Sequence, residues 1–177
     1  NVLKEKKIDR EVVTLITQTI VDKNDPSIND PQKFIGRRYG KAEAQSLARQ
    51  FNWTIKEQEP GKWRQVVPSP MPQFIEHGRS IQTLVDNGTI VIASGGGGIP
   101  TFWNDDHKLE GLNAVIDKDL SAALLGRVIK SEELWIITDL DQVCLNFGKS
   151  KFKKGIVVFD YIQCMKLSNL FQRIFFS

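Results

Sequence analysis

Residues 79–141 alternate helix, strand, short strand, helix and strand, and this order constrains the fold more than any single motif. "SIQTLVDNG" sets Ile81, Leu84 and Val85 on one helical face and ends at Gly88, a usual place for a helix to stop. The apolar strand 89–93 follows and reads as the most buried of the chain. Four glycines come next, Gly95, Gly96, Gly97 and Gly98. "AVI" then forms a short strand that runs into "DKD", and "LSAALLGRVI" carries Leu120, Ala123, Leu124 and Val128 as the buried stripe of a helix. "ELWIIT", 133–138, is a further strand and ends in "DLD". Such alternation predicts an α/β fold with a mostly parallel sheet and helices on its faces. Ligands of such sheets bind beyond the carboxyl ends of the strands, where the glycine loop, "DKD" and "DLD" all fall.

Upstream, "VVTLITQTIVD", 12–22, is β-branched and reads as one strand, and "NDPSINDPQ" is a loop. "KAEAQSLARQFN" gathers Ala44, Leu47, Ala48 and Phe51 on a helical face. "WTIKEQEPGKWRQVV" gives two strands around Pro60-Gly61, and "PSPMP" is irregular.

The glycine run is neither a dinucleotide fingerprint nor a Walker A loop. Read from Gly95, the third glycine position of G-x-G-x-x-G holds Pro100, and no Gly-Lys-Ser/Thr follows. Two readings remain at this point: a tight connection, or a concave anion site lined by main-chain N–H groups. "DKD" is similarly open. Asp117 suits a helix N-cap. Equally, a helix start attracts phosphate, Lys118 would offset charge on a transferred phosphoryl group, and a nearby carboxylate would orient lysines or hold Mg²⁺ through water. Asp139 and Asp141 are turn residues or contacts to a nucleotide or its metal. No Ser–His–Asp or Cys–His arrangement is legible, and phosphoryl transfer needs none, because positioning and electrostatics supply most of its catalysis.

A net charge of +3 without a clustered basic face suits a phosphorylated substrate and gives no argument for nucleic acid. Cys144, Cys164, His77 and His107 lack metal-ligand spacing. Two cysteines in 177 residues point to a reducing, cytoplasmic setting. No apolar run reaches membrane-spanning length, and "NVLKEKKIDRE" is too charged for a signal peptide.

"VVPSPMP", "IVIASGGGGIP", "AVIDKDLSAALL" and "TDLDQVCLNFG", in this order and spacing, resemble carbamate kinase of the amino acid kinase superfamily, with "TQTIVDKNDP" and "IGRRY" fitting upstream. The resemblance implies a three-layer αβα sandwich and a homodimer. It implies reversible phosphoryl transfer between carbamoyl phosphate and ADP, giving ATP and carbamate with Mg²⁺, a step of arginine fermentation. It sets the glycine loop (Gly95, Gly96, Gly97, Gly98) beside the transferred phosphoryl group, Lys118 on phosphate and Asp119 as organiser of the catalytic lysines. Asp117, Lys118, Thr138, Asp139, Asp141 and Val143 would line the nucleotide site, and Lys23 would be a substrate-side lysine. Residues 23–70 would include a small protruding subdomain within a partial kinase domain, 1–148.

The chain also departs from that pattern. Nothing before Val12 matches the family's N-terminal phosphate and carbamate loops. Gln142 and Cys144 stand where the family has Gly and an aromatic, and Arg37 and Arg38 where it has Pro and an apolar residue. The likeness stops after Gly148, and the tail, 149–177, lacks the glycine-rich segment and following lysine expected there. Two classes of function follow. One is an enzyme, as a homodimer or with a separately encoded N-terminal half. The other is an inactive fragment that binds nucleotide or a partner chain.

Overall fold

The computed structural model describes residues 2–137 and, beyond them, the strands Val143–Leu145 and Lys153–Gly155. In chain order the elements are α1 (Val2–Glu5), β1 (Val12–Thr14), β2 (Gln18–Val21), β3 (Lys33–Tyr39), α2 (Lys41–Phe51), β4 (Thr54–Glu59), β5 (Lys62–Val67), β6 (Pro72–Ile75), α3 (Gly78–Asp86), β7 (Ile90–Ile92), β8 (Ile99–Trp103), β9 (Leu109–Gly111), α4 (Lys118–Val128), β10 (Val143–Leu145) and β11 (Lys153–Gly155). This is a mixed α/β architecture.

The stretch expected to be one strand over 12–22 is two strands. β1 runs parallel to β7, with Val12 opposite Ile90 and Thr14 opposite Ile92. β2 runs parallel to β8, with Gln18 opposite Ile99 and Ile20 opposite Thr101. Residues 15–17 join β1 to β2, whereas residues 93–98 join β7 to β8. The glycine loop is therefore the longer side of one interrupted parallel ladder.

β2 is central to a mixed sheet of order β6-β2-β8-β9. Thr19, Ile20 and Val21 are all buried, as a strand covered on both faces requires. The core gathers Ile20, Val21, Ile75, Ile81, Ile116 and Leu120. α4 packs against β6 and against α3.

A second sheet, β3-β5-β4, contains the expected hairpin at Pro60-Gly61. α2 lies on β5 and β4, and these elements pack chiefly on one another. Ala44 is buried and Leu47 and Ala48 half-buried, as the helical spacing predicts. Phe51 departs from that face: it is 52% exposed and stacks on Trp53 at 5.3 Å between ring centroids.

Three expectations change. Strand 89–93 is β7, and it is not the most buried strand: Ile92 is 52% exposed and Val12, on the same face, 46%. Its one strand partner among the described residues is β1, and α3 packs against it. "AVI" forms no strand: Val115 N–H reaches Pro68 O at 3.0 Å while Ile116 drops into the core. "ELWIIT" is not a strand over 133–137, because no described strand pairs with it, and Trp135 and Ile137 point to solvent. No described helix is long and apolar enough to cross a membrane.

β6 allows a direct test of which sheet face holds the core. Ile75 is fully buried and its neighbour Phe74, on the opposite face, is half exposed. Ile75→Ala is expected to cost about 2–5 kcal/mol in urea unfolding. Phe74→Ala should cost much less; equal costs would contradict this placement of the core.

Candidate functional site

The glycine loop is fastened from three directions. Thr17 Oγ1 accepts the Ser94 N–H at 2.8 Å, and Thr17 O accepts the Ile99 N–H at 2.8 Å. Gly97 O accepts two buried hydroxyls, Thr19 Oγ1 at 2.9 Å and Ser121 Oγ at 2.8 Å. Thr19 belongs to β2 and Ser121 to α4, so one carbonyl ties the loop to both. Alternate positions of an extended chain share a side, which brings Thr17 and Thr19 to the loop together.

The four glycines have different tasks. Gly97 has φ +130°, and a Cβ there would lie 2.6 Å from Ile116 O. Gly98 has φ +87°, and a Cβ would run into Thr19 Oγ1. Gly95 and Gly96 meet nothing within 4 Å. Close packing of main chain on main chain thus explains the inner pair.

Of the two readings open from the sequence, the tight connection describes most of the loop's N–H groups. Gly95 N–H bonds Ala93 O at 2.8 Å, and Gly97 and Gly98 both donate to Ser94 O. Gly96 N–H makes no hydrogen bond among the described residues. Ser94, at φ +61°, is buried, and its hydroxyl has no partner among the described residues. Ser94 is thus a strained residue with a buried, unpartnered hydroxyl, and it is the exposed Gly96 that keeps its N–H free among the described residues.

Gly97 packs on Ile116, so the loop abuts the start of α4. There Asp117 is the N-cap: Oδ1 accepts the N–H of Asp119 at 3.0 Å and of Leu120 at 3.4 Å. Its other oxygen, Oδ2, takes Lys33 Nζ of β3 at 2.8 Å. Both oxygens are therefore engaged within the protein. Burial alone would raise its pKa, but Lys33 and the two amides outweigh burial and hold the carboxyl below its ordinary range. Lys118 stays largely in solvent, 3.6 Å from the Asp119 carboxylate.

Lys23 is not brought to this turn. It lies four residues beyond Thr19, on the order of 13 Å at strand rise. Its Nζ is bound to Asp105 Oδ1 at 2.6 Å, beyond the far end of β8. Thr138, Asp139 and Asp141 lie outside the described residues, and Val143 is in β10, opposite Gly155. Among the described residues the structure thus joins the glycine loop to Asp117, Lys118 and Asp119. It adds Thr17, Thr19, Ser121 and Lys33, which sequence reasoning missed. Two threonines at strand spacing in "TQT" were a usable signal. Ser121 was hidden in a helical stripe, and Lys33 stands 84 residues from its partner.

The family model described as "Amino acid kinase family" matches residues 32–169. Carbamate kinase of Pyrococcus furiosus is 43% identical over 151 residues, covering 85% of this chain and 48% of the relative. That of Clostridium perfringens is 46% identical over 147 residues, covering 83% and 46%. Among solved structures, carbamate kinase from Giardia lamblia bound to citric acid superposes with a TM-score of 0.74 at 37% identity, over 87% of this chain and 48% of that one. The same enzyme bound to AMP-PNP gives 0.70 at 38%, over 87% and 49%. The chain spans about half the length of the curated relatives it matches.

Two measurements test the geometry. Gly98→Ala forces a side chain onto Thr19 at a left-handed φ and is expected to lower stability by roughly 2 kcal/mol or more. Gly96→Ala, with open space around it, should change stability by about 0.5 kcal/mol or less. The second concerns acid. The folded Asp117 carboxyl binds its proton more weakly than the unfolded one, so falling pH favours the unfolded chain. Its stabilisation is complete above the ordinary carboxylate range and is lost as pH falls through the depressed folded pKa, below about 4. Asp117→Asn should flatten that acid limb in urea midpoints measured against pH.

Proposed function

Because this chain belongs to the amino acid kinase family, we propose that it carries one side of a carbamate kinase site, for reversible phosphoryl transfer between carbamoyl phosphate and ADP. The observation that carries this reading is the shared Gly97 carbonyl, which seats the glycine loop against α4 beside Lys118. The outer loop then offers the Gly96 N–H toward an anion, and Lys118 supplies positive charge at the same end. Preorganised donors of this kind stabilise charge on a transferring group without moving at the moment of reaction. The AMP-PNP complex of the Giardia lamblia neighbour supports a nucleotide as the second ligand.

Each residue has a stated task. Lys118 meets phosphate, and Asp119, 3.6 Å from it, steers its ammonium group. Thr138, Asp139, Asp141 and Val143 line the nucleotide side. Lys23 serves the substrate from across the sheet once it leaves Asp105, a surface contact that salt screens. The sheet β3-β5-β4 with α2 is the protruding subdomain within 23–70.

Among the described residues Mg²⁺ fits the donor set in one way. No cluster of three or more His, Cys, Asp or Glu groups suited to a metal occurs among the described residues. Mg²⁺ binds through one or two carboxylates together with substrate phosphates. With both Asp117 oxygens engaged, Asp119 is, among the described residues, the carboxylate near the loop left to hold it, through water, and the ion when bound would offset phosphate charge.

The assembled enzyme would work as a homodimer, or with the family's N-terminal half supplied separately, in the cytoplasm and in arginine fermentation. A second reading, nucleotide binding without turnover, is favoured for residues 1–177 taken alone, because they span about half of each relative. Calorimetric titration with MgADP and a coupled assay of ATP formation from carbamoyl phosphate decide between the two. Weak saturable binding, on the order of 1 mM, with turnover well below about 1 s⁻¹, is expected of this chain. Lys118→Met should abolish the binding. Binding that survives this substitution unchanged would remove Lys118 from the phosphate site.

A further inference from the structure

The chain leaves the main sheet at β2 and returns to it at β6, with the whole β3-β5-β4 unit in between. β2 ends at Val21 beside Pro72, where β6 begins, and β3 begins at Lys33 beside Val67, where β5 ends. The unit therefore stands on two connections, residues 22–32 and residues 68–71, which start side by side and finish side by side. They differ in length. The short one, Pro68-Ser69-Pro70-Met71, is stiff: its prolines fix φ, Pro70 is fully buried, and Pro68 O accepts the Val115 N–H at 3.0 Å. The long one has slack, which it takes up at Asp25. Asp25 Oδ1 accepts the Ser27 N–H at 2.8 Å and caps a 3₁₀ turn over Pro26–Ile28. Its Oδ2 reaches across to the Met71 N–H at 3.0 Å, 46 residues away in sequence. Among the described residues, this is the side-chain hydrogen bond that ties one connection to the other.

We propose that Asp25 is a positioning residue: its carboxylate locks the long connection onto the short one and so fixes the angle between the β3-β5-β4 unit and the main sheet. A cap alone needs one oxygen, which Ser supplies as well as Asp. The bond to Met71 uses the second acceptor of a carboxylate, and a charged acceptor makes the stronger bond. Further ties continue on both sides. Lys56 of β4 binds Asp30 at 2.7 Å, which fastens the long connection to the unit. The Val115 N–H fastens the short connection to the segment entering α4. Asp25 is the link between these two, and without it the long connection keeps its turn but loses its hold on the stiff one. The assignment goes beyond the proposed phosphoryl transfer and stands without it, because it concerns the pose of the unit with no ligand present.

The test measures pose and stability separately in the 177-residue chain. Spin labels are placed on α2 and α3 through Gln45→Cys and Ser80→Cys, with Cys144→Ser and Cys164→Ser to keep labelling specific. Double electron–electron resonance then gives the distance distribution between them. On that background, Asp25→Ser, Asp25→Ala and Glu43→Gln are compared. Asp25→Ser keeps a capping oxygen for Ser27 and is too short to reach Met71. It should broaden the distribution as much as Asp25→Ala does. In both, exchange of the Met71 amide should quicken roughly tenfold, the order for losing one hydrogen bond to a charged group. The urea midpoint of Asp25→Ser should stay close to that of the parent, since its turn is still capped. Glu43→Gln, which breaks only the exposed pair with Arg37 inside the unit, should leave the distribution unchanged. A purely structural Asp25 would instead lower the urea midpoint and leave the distribution narrow. That result overturns the proposal, as does broadening in Asp25→Ala without broadening in Asp25→Ser, or a parent distribution already as broad as theirs. Should Asp25→Ala fail to fold, Asp25→Ser decides alone, with its Met71 amide exchange as the second reading.

Discussion

One main-chain oxygen organises this molecule. Gly97 O receives the hydroxyls of Thr19 and Ser121, one from the central strand and one from the helix that follows the loop. Both donors are fully buried, where an unpaired hydroxyl costs about 1–3 kcal/mol. Displacing the loop would orphan both at once. The same contact requires Gly97 and Gly98, because any Cβ there meets Ile116 or Thr19. The interrupted ladder of β1–β7 and β2–β8, the seat of α4 and the exposure of the outer loop all follow from this close approach.

The electrostatics repeat that economy. Asp117 spends one oxygen on the helix cap and the other on Lys33. Its carboxyl is thereby held ionised against burial, and two segments distant in sequence, the start of α4 and the start of β3, meet at one group. A neutral cap would hold the helix as well. The pairs Arg37–Glu43 and Lys62–Glu59, by contrast, lie in solvent on the β3-β5-β4 sheet and α2.

Much of the fold was legible locally. The Pro60-Gly61 hairpin, α2, α3 and α4 all follow from periodicity and stop signals that act within a few residues. Failures cluster where a strand's existence depends on a neighbour. "ELWIIT" has strand composition but no described partner for its backbone, and "AVI" uses its one long-range amide on Pro68. The stretch 12–22 is strand-like throughout, yet it breaks opposite the glycine loop, whose extra length no local pattern reveals.

The sequence by itself determined the α/β character, the helices, the glycine loop and the "DKD" turn as the places where chemistry would gather, since these depend on residue type and short spacing. The tertiary structure alone decided which glycines serve packing and which face outward. It also decided that Asp117 is consumed by its cap and its ion pair, that Lys23 is held by Asp105, and that Thr17, Thr19, Ser121 and Lys33 belong to the site. The reason is physical. Hydrogen bonds and ion pairs between residues 24–84 apart are set by how strands register and helices pack, and those relations are not written in any short window of the chain.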